Sequence, residues 1–421
     1  MKKILALLLA ICMLFGLAAC GKDEPNDANS STDSSAASDV DDNSSSAVSS
    51  DIENVELAKE IYAAKRTYSG AAKHSKRNLN NTAYKLKNKK ELKVLYFGGS
   101  ITAGQGAGSG KGWSYFTTDW LESQYPNAKI TEVNTAVGGQ GAYLGLFRSD
   151  RDVIAHKPDL VFIEFAINDL YQGFSKEQST VLAESLIRKI NKELPETDIV
   201  IVLTTDKSRL QLNFANAQAY KEVGDYYGIP VINVGYALKK ELDKGEKTWD
   251  YYAGDIVHPT DAGHQLYADT VTAELKNLLP SSPKAPTSHK LSKTTYISNI
   301  IESTQTLQAD DIGANSDWNN RKSRGWVESI TKFPKQLAPK NKGAEITIVF
   351  EGTTFGLLAE IKRDSTVSLT IDDKETVMLK EKDATNEVER YVFDNLAKGK
   401  HKVKIKYAGP AYFAIGAICI G

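Results

Sequence analysis

Continuous runs of apolar residues alternate with helical patterns between residues 93 and 279. The runs are KVLYF, DLVFIEF, DIVIVLT and IPVINV, with a shorter run, KITEVN, after the first. Runs without polar alternation are typical of parallel strands that are covered on both faces. The clearest helix begins at Ser175, where SKEQ matches a capping box and large aliphatic residues recur every four positions. This alternation predicts a three-layer α/β/α domain with a parallel, flavodoxin-like sheet.

The pattern changes at about residue 291. The stretches EITIVFEG, STVSLTIDD and HKVKIKYAG alternate apolar and polar residues with period two, and turn residues such as Asp372, Asp373 and Gly399 follow or precede them. This pattern predicts an antiparallel β-sandwich that resembles a jelly roll. The sandwich could be a passive packing module or a module that binds or frames a glycan, and the pattern does not choose between these roles.

The N-terminus has the pattern of a secretory signal. Two lysines precede a short apolar run that ends in LAAC, at Cys20. This ending resembles a bacterial lipobox, which implies cleavage before Cys20 and lipidation of its thiol; the alternative is an ordinary signal peptide with an accidental cysteine. Residues 21–55 are rich in Ser, Asp and Asn and predict a disordered tether. The folded part is therefore expected on the extracellular face of the bacterial membrane, held there by lipid.

The remaining chain of about 370 residues is too long for one ordinary core. The Pro- and Ser-rich stretch LLPSSPKAPTSHK supplies the boundary. We therefore predict a signal peptide at 1–20, an α/β domain at 56–280, a linker at 281–290 and a β-sandwich at 291–421.

Charge and cysteine content exclude some classes of protein. The chain has 52 Lys and Arg residues against 53 Asp and Glu residues, a balance that argues against a nucleic-acid binder. Cys12 would be removed with the signal, which leaves Cys20 and Cys419, so no framework of intrachain disulfides is expected. No His, Cys or acidic cluster has zinc or calcium spacing, and we predict neither a metal nor another cofactor.

Polar residues follow the predicted strands at the edge where a doubly wound sheet binds ligands. Ser100 follows the first strand, Gly139 the second and Asn168 the third, and Asp255 and His258 lie just before the last helix. Each residue alone could belong to a turn or a helix cap. Their common position at the carboxyl edge of one sheet predicts a single site.

These blocks resemble the SGNH (GDSL) hydrolase superfamily, which carries Ser, Gly, Asn and His in this order, over roughly residues 90 to 280. The most specific parts are Asp255-x-x-His258-Pro259 and the Asn168-Asp169 pair. Two residues depart from the family pattern. Gly99 stands where the family usually has aspartate, and Ala166 replaces a glycine, which suggests a subgroup with a Gly-Gly-Ser-Ile-Thr block.

The resemblance implies a serine esterase. Ser100 would be the nucleophile, His258 its base and Asp255 the carboxylate that holds the imidazole. The backbone N–H groups of Ser100 and Gly139 and the Asn168 amide would form the oxyanion hole. Among the other carboxylates, Asp169 is expected to cap a helix or bond a loop, and Glu164 to pair with a polar group at the same edge.

The substrate is expected to be an O-acetylated polysaccharide or cell-wall glycan. The extracellular tether, the sandwich and the aromatic residues before Asp255 (Trp249, Tyr251 and Tyr252) favour it. Two alternatives stay open, namely a lipid-directed esterase or lysophospholipase and an inactive glycan-binding lipoprotein. Family resemblance alone also leaves open whether the enzyme is a hydrolase or an acyltransferase.

Overall fold

The computed structural model describes residues 55–70, 76–210, 214–323, 333–362, 364–380 and 387–421. The predicted signal peptide, Cys20 and nearly all of the predicted tether lie outside these residues. Within the described part of the chain, none of the helices combines the length and the apolar content needed to cross a membrane.

The first structural unit is a five-stranded parallel sheet with the order β2-β1-β3-β4-β5. This order is flavodoxin-like, and it confirms the predicted α/β fold. All residues of β3 and β4 are buried, as their continuous apolar runs predict. The strands are β1 (Glu91–Gly98), β2 (Lys129–Asn134), β3 (Leu160–Glu164), β4 (Asp198–Leu203) and β5 (Val231–Asn233).

Helices cover both faces of this sheet, because right-handed crossovers that run in opposite directions from β1 lie on opposite faces. The capping box predicted at Ser175 is present, with reciprocal hydrogen bonds between Ser175 and Gln178. The helices are α1 (Asn80–Tyr84), which continues as a π-helical turn (Lys85–Lys89), α2 (Trp113–Gln124), α3 (Ala142–Asp152), a 3₁₀ turn (Ile154–His156), α4 (Ala166–Tyr171), α5 (Lys176–Glu193), α6 (Ala215–Tyr227), α7 (Val234–Asp243), α8 (Trp249–Tyr252) and α9 (Asp261–Leu278).

The second unit is an antiparallel sandwich, which confirms the period-two reading. One sheet has the order β13-β10-β15-β8-β7, with β6 also paired to β15, and the other has the order β12-β11-β14-β9. The elements are β6 (Gln305–Gln308), α10 (Ala309–Ile312), β7 (Trp318–Lys322), β8 (Lys335–Pro339), β9 (Glu345–Glu351), β10 (Phe355–Ile361), β11 (Thr366–Ile371), β12 (Glu375–Lys380), β13 (Glu387–Phe393), β14 (Lys400–Gly409) and β15 (Phe413–Ile420).

Strands β10 and β15 are buried on both faces. Leu357 and Ile418 point into the sandwich core, whereas Leu358, Ala417 and Cys419 join the core of the α/β unit. Successive strand residues point to opposite faces, so this sheet contributes side chains to the hydrophobic cores of both units. The sandwich therefore packs against the α/β unit through an apolar interface.

The segment before residue 70 packs differently from the sequence-based division. The sequence pattern places it in the α/β domain from residue 56, but the Ala58 N–H donates to Lys400 O at 2.9 Å and the Ala63 N–H donates to Asn395 O at 2.8 Å. Arg66 also donates two hydrogen bonds to Asp394. The apolar residues of this segment form neither a continuous run nor a period-two alternation, so its pattern does not reveal which sheet it follows.

The linker at 281–290 is fixed to the α/β unit. Asn80 and the Lys284 backbone exchange hydrogen bonds of 3.0 and 2.9 Å, and Asn81 does the same with Thr287. His289 bonds Asp198 through its Nε2 at 2.9 Å. These hydrogen bonds hold the linker against the surface of the α/β unit.

Candidate active site

Ser100 lies on a tight turn directly after β1. A Cβ added to Gly98 would lie 2.6 Å from Thr102 Oγ1, and a Cβ added to Gly99 would lie 2.3 Å from Asn168 Oδ1. Atoms at these separations clash, so only glycine allows the turn to sit this close to its neighbours. The glycines therefore bring Ser100 to the sheet edge beside Asn168.

The side chain of His258 faces Ser100. Ser100 Oγ lies 2.9 Å from His258 Nε2, and His258 Nδ1 lies 2.7 Å from Asp255 Oδ2. An ionised carboxylate can only accept a hydrogen bond, so Nδ1 carries the proton and Nε2 is left to accept one from the serine hydroxyl. The structure thus brings together all three residues predicted for nucleophile, base and carboxylate.

The loop that carries Asp255 and His258 is held by its own hydrogen bonds. Asp255 Oδ1 accepts from the backbone N–H groups of Val257 and His258, each at 2.7 Å. Burial alone would raise the pKa of Asp255, but the hydrogen bonds from the His258 ring and from these two N–H groups outweigh it and lower this pKa. Asp255 therefore stays ionised well into the acidic range. Trp249 Nε1 donates to Asp255 O at 2.6 Å and fixes the start of the loop.

The predicted oxyanion residues lie beside the serine. Asn168 is 7 % exposed, in the first turn of α4, with its amide against the Gly99 backbone. Gly139 has a φ of 74° in the turn after β2, and a Cβ on the preceding Gly138 would lie 3.7 Å from Ser100 Cβ. A left-handed φ of this kind favours glycine. Three elements thus converge on one point of the sheet edge.

Two buried carboxylates, those of Glu164 and Asp169, accept hydrogen bonds from the segments that form this edge. Glu164 accepts hydrogen bonds from Thr102 at 2.9 Å and Thr204 at 2.7 Å, yet burial raises its pKa to about 7. Asp169 accepts from the Ala142 N–H at 2.7 Å, and burial likewise raises its pKa to about 7. Neither contacts Ser100, so their place is in the framework of the turns. The prediction that Asp169 bonds a loop or helix end is confirmed.

A group of hydrogen-bonded residues near the site, which includes Tyr171 and Asp206, corresponds to no recognisable motif in the sequence. Tyr171 donates to Asp206 at 2.8 Å, and Arg209 forms an ion pair with the same carboxylate. Lys207, which follows Asp206 in the chain, donates its N–H to Ile256 O at 2.9 Å, and this hydrogen bond connects the turn after β4 to the loop of Asp255. The position of Asp206 after β4 is the feature of the sequence that points to this group, since these residue types are common in surface turns.

The three aromatic residues before Asp255 differ in exposure. Trp249 and Tyr252 are buried and pack in the α/β core, so they are not available to stack on a sugar. Tyr251 is 47 % exposed. The aromatic cluster expected from sequence is therefore reduced to one accessible ring.

Two further histidines, His264 and His401, have structural partners. His264 is buried in α9, where it accepts from the Trp113 N–H at 3.3 Å and bonds Gln105 O at 3.1 Å. His401 lies in the sandwich core and bonds Asp372 at 2.7 Å. Among the residues that the structure describes, no cluster of three His, Cys, Asp or Glu side chains could hold a metal ion.

Residues 96–266 match the GDSL-like Lipase/Acylhydrolase family. The matched stretch contains Ser100, Gly139, Asn168, Asp255 and His258. An acetylxylan esterase from Geobacillus stearothermophilus is 27% identical over 207 residues, which cover 44% of this chain and 93% of that protein.

Solved structures show a similar architecture over both units. A two-domain esterase active on acetylated mannans superposes with a TM-score of 0.68 at 20% identity, and covers 82% of this chain and 96% of that chain. The same kind of esterase co-crystallised with mannopentaose gives a TM-score of 0.66 at 20% identity, with 82% and 95% covered. This likeness shows that the α/β unit and the sandwich are joined in a fold already known among esterases.

Proposed function

We propose that the GDSL-type hydrolase domain carried by residues 96–266 is a serine esterase that removes O-acetyl groups from a glycan. Ser100, His258 and Asp255 act as nucleophile, base and orienting carboxylate. The Ser100 and Gly139 N–H groups and the Asn168 amide bind the oxyanion.

The observation that carries this proposal is the unbroken chain of two hydrogen bonds. Ser100 Oγ lies 2.9 Å from His258 Nε2, and His258 Nδ1 lies 2.7 Å from Asp255 Oδ2. A serine hydroxyl is a weak nucleophile until a neighbouring base takes its proton. Here the base is in contact, in the correct tautomer, and backed by a carboxylate whose pKa is lowered.

Acylation follows from this geometry. Ser100 Oγ attacks the acetyl carbon while its proton moves to His258 Nε2, and the carbonyl oxygen gains negative charge. The three oxyanion donors stabilise that charge, at about 3 kcal/mol for each donor. The intermediate then collapses: the bond to the sugar oxygen breaks, and His258 gives its proton to that oxygen, which leaves as a hydroxyl group. The acetyl group remains on Ser100.

Deacylation repeats these steps with water. His258 Nε2 takes a proton from water, and the hydroxide attacks the acetyl-serine carbonyl within the same oxyanion hole. Collapse breaks the ester to Ser100 Oγ, which recovers its proton from His258, and acetate leaves. Asp255 stays ionised throughout and stabilises the imidazolium.

Two observations support an acetylated glycan as the substrate. The relative from Geobacillus stearothermophilus is an acetylxylan esterase, and the similarity covers 93% of that protein. Tyr251, four residues before Asp255, presents an exposed ring, and aromatic rings at a site can stack on sugars. The composition of the N-terminus supports an extracellular, lipid-anchored enzyme, with Cys20 as the lipidated residue.

Release of acetate from acetylated xylan, mannan and peptidoglycan tests this proposal, alongside release of fatty acid from phospholipid vesicles. We expect acetate from at least one glycan and no fatty acid from the lipid. Ser100→Ala serves as the matched control and should release neither. Fatty acid release that requires Ser100 would support a lipid-directed esterase instead. No release from any ester by a folded wild-type protein would overturn the esterase proposal.

A further inference from the structure

The sandwich reaches the α/β unit close to the predicted oxyanion turn. The ring of Tyr391, on β13, stacks on the ring of Tyr143 with centroids 4.8 Å apart and an interplanar angle of 26°. It also meets Phe174 edge-on, with centroids 6.3 Å apart. Tyr143 is the second residue of α3, and Phe174 lies between α4 and α5. One sandwich residue thus contacts the start of α3 and the loop between α4 and α5.

The start of α3 and the loop after α4 adjoin the turn of Gly139. Gln172 Nε2 donates to Gly139 O at 3.0 Å, and Asp169 Oδ1 accepts from the Ala142 N–H at 2.7 Å. The approach is close, because a Cβ on Gly141 would lie 2.4 Å from Gln172 and 2.6 Å from Asp169. A shift of the start of α3 or of the loop after α4 would therefore move the turn that contains Gly139.

Phe174 belongs to the same hydrogen-bonded unit. Its N–H donates to Asp169 O at 3.0 Å, directly behind the carboxylate that caps α3. Tyr143, on the other side, follows Ala142 in the chain. The Tyr391 ring accordingly braces both the start of α3 and the loop that caps it.

Tyr391 is itself held in place. Its hydroxyl donates to Asp394 Oδ1 at 2.5 Å, and Asp394 accepts two hydrogen bonds from Arg66. Arg66 is 4 % exposed and also lies 3.6 Å from Glu177, in the first turn of α5. The segment before residue 70 therefore fixes the position of Tyr391 relative to the α/β unit.

We propose that Tyr391 is a positioning residue for the oxyanion hole, which it serves by bracing the turn that presents the Gly139 N–H. The inference rests on the proposed esterase function. It assigns to the sandwich a part in catalysis on every ester, because the Gly139 donor serves small and polymeric substrates alike. A displacement of about 1 Å in such a group can cost roughly 100-fold in rate.

The test compares three full-length variants. Tyr391→Leu removes the stacked ring, Tyr391→Phe keeps it, and Leu358→Ala opens a cavity in the same interface further along α3, where Leu358 lies with Phe147 and Arg148. On 4-nitrophenyl acetate we expect Tyr391→Leu to lower kcat on the order of 10- to 100-fold with KM little changed. Tyr391→Phe should retain kcat, and Leu358→Ala should lower the melting temperature while keeping kcat.

Amide hydrogen exchange of residues 138–142 gives a readout that does not depend on activity. Exchange there should accelerate in Tyr391→Leu and stay at the wild-type rate in Leu358→Ala. Equal kcat, or equal exchange of residues 138–142, in these two variants would overturn the proposal. If the wild type itself proves inactive, the esterase function fails, and the exchange data still decide whether Tyr391 braces the turn. Should Tyr391→Leu not accumulate, Phe174→Leu removes the edge-on contact from the other side and is judged by the same criteria.

Discussion

Gly99 lies against the side chain of Asn168 so closely that a Cβ on Gly99 would be 2.3 Å from Asn168 Oδ1. The two residues come from the ends of neighbouring strands, β1 and β3, at the point where the sheet order reverses. Aspartate, the residue that the family resemblance would place at position 99, cannot fit here without moving Asn168. The departure from the family pattern at position 99 therefore has a steric account in this chain.

Gly99→Ala should disable the oxyanion amide while leaving Ser100 and His258 in contact. The added methyl group must push Asn168 away, which removes one donor and should lower kcat by about 100- to 1000-fold. Gly108→Ala is the matched control, because its Cβ would lie 3.5 Å from the nearest atom, an ordinary contact. Steady-state kinetics on 4-nitrophenyl acetate measure both variants. A Gly99→Ala protein with wild-type kcat would show that Asn168 is not required.

The buried carboxylate of Glu164 should make stability fall as pH rises. Its pKa is raised to about 7 in the folded protein, so the folded state binds more protons than the unfolded state between the ordinary glutamate pKa and about 7. The stability is fully present below that window and is lost as pH rises through it.

Chemical denaturation of the wild type and Glu164→Gln at several pH values measures this effect. The neutral amide cannot ionise, so the free energy of unfolding of Glu164→Gln should gain on that of the wild type from pH 4.5 to 7. Glu122→Gln, at an exposed position, should track the wild type throughout. A constant difference between Glu164→Gln and the wild type across this range would contradict the raised pKa.

Removal of the sandwich should harm activity on small and polymeric esters alike. A chain that ends near Pro280 exposes the apolar surface that Leu358, Ala417 and Cys419 cover, and it loses Tyr391. We expect low solubility, a lower melting temperature and loss of 4-nitrophenyl acetate hydrolysis. A soluble truncated protein with wild-type activity on this ester would contradict a part for the sandwich in the hydrolysis of small esters.

Replacement of Cys20 should release the protein from membranes. The LAAC ending and the polar segment after it motivate this expectation, because the proposed anchor is lipid on that cysteine. Fractionation of cells that express Cys20→Ala should place the protein in the soluble fraction, with turnover of a small ester unchanged. Membrane retention of Cys20→Ala would point to a different anchor.

Much of the fold was accessible from the sequence because two periodicities differ so clearly. The uninterrupted apolar runs of β3 and β4 indicate strands that are buried on both faces. The alternation in β11 and β14 indicates strands that are buried on one face. The order of Ser100, Asn168 and His258 was readable for a related reason, since each follows a recognisable strand or precedes a helix.

Contacts between distant segments were not accessible. Nothing in the pattern of β13 indicates that Tyr391 stacks on Tyr143, and nothing near Arg66 indicates its pairing with Asp394. Such pairs depend on how the two units dock, and docking is decided by the summed shape of both surfaces. The identity of the two partners of Glu164, Thr102 and Thr204, was hidden likewise, because a carboxylate at a strand end has no fixed partner in sequence.

The central claim is that Ser100 is the nucleophile activated by His258. Reaction of the full-length protein with a fluorophosphonate probe, followed by mass spectrometry of its peptides, tests this claim most directly. We predict a single adduct on Ser100, with no labelling in Ser100→Ala and much slower labelling in His258→Ala. Labelling at another residue, or undiminished labelling and acetate release in Ser100→Ala, would contradict the account.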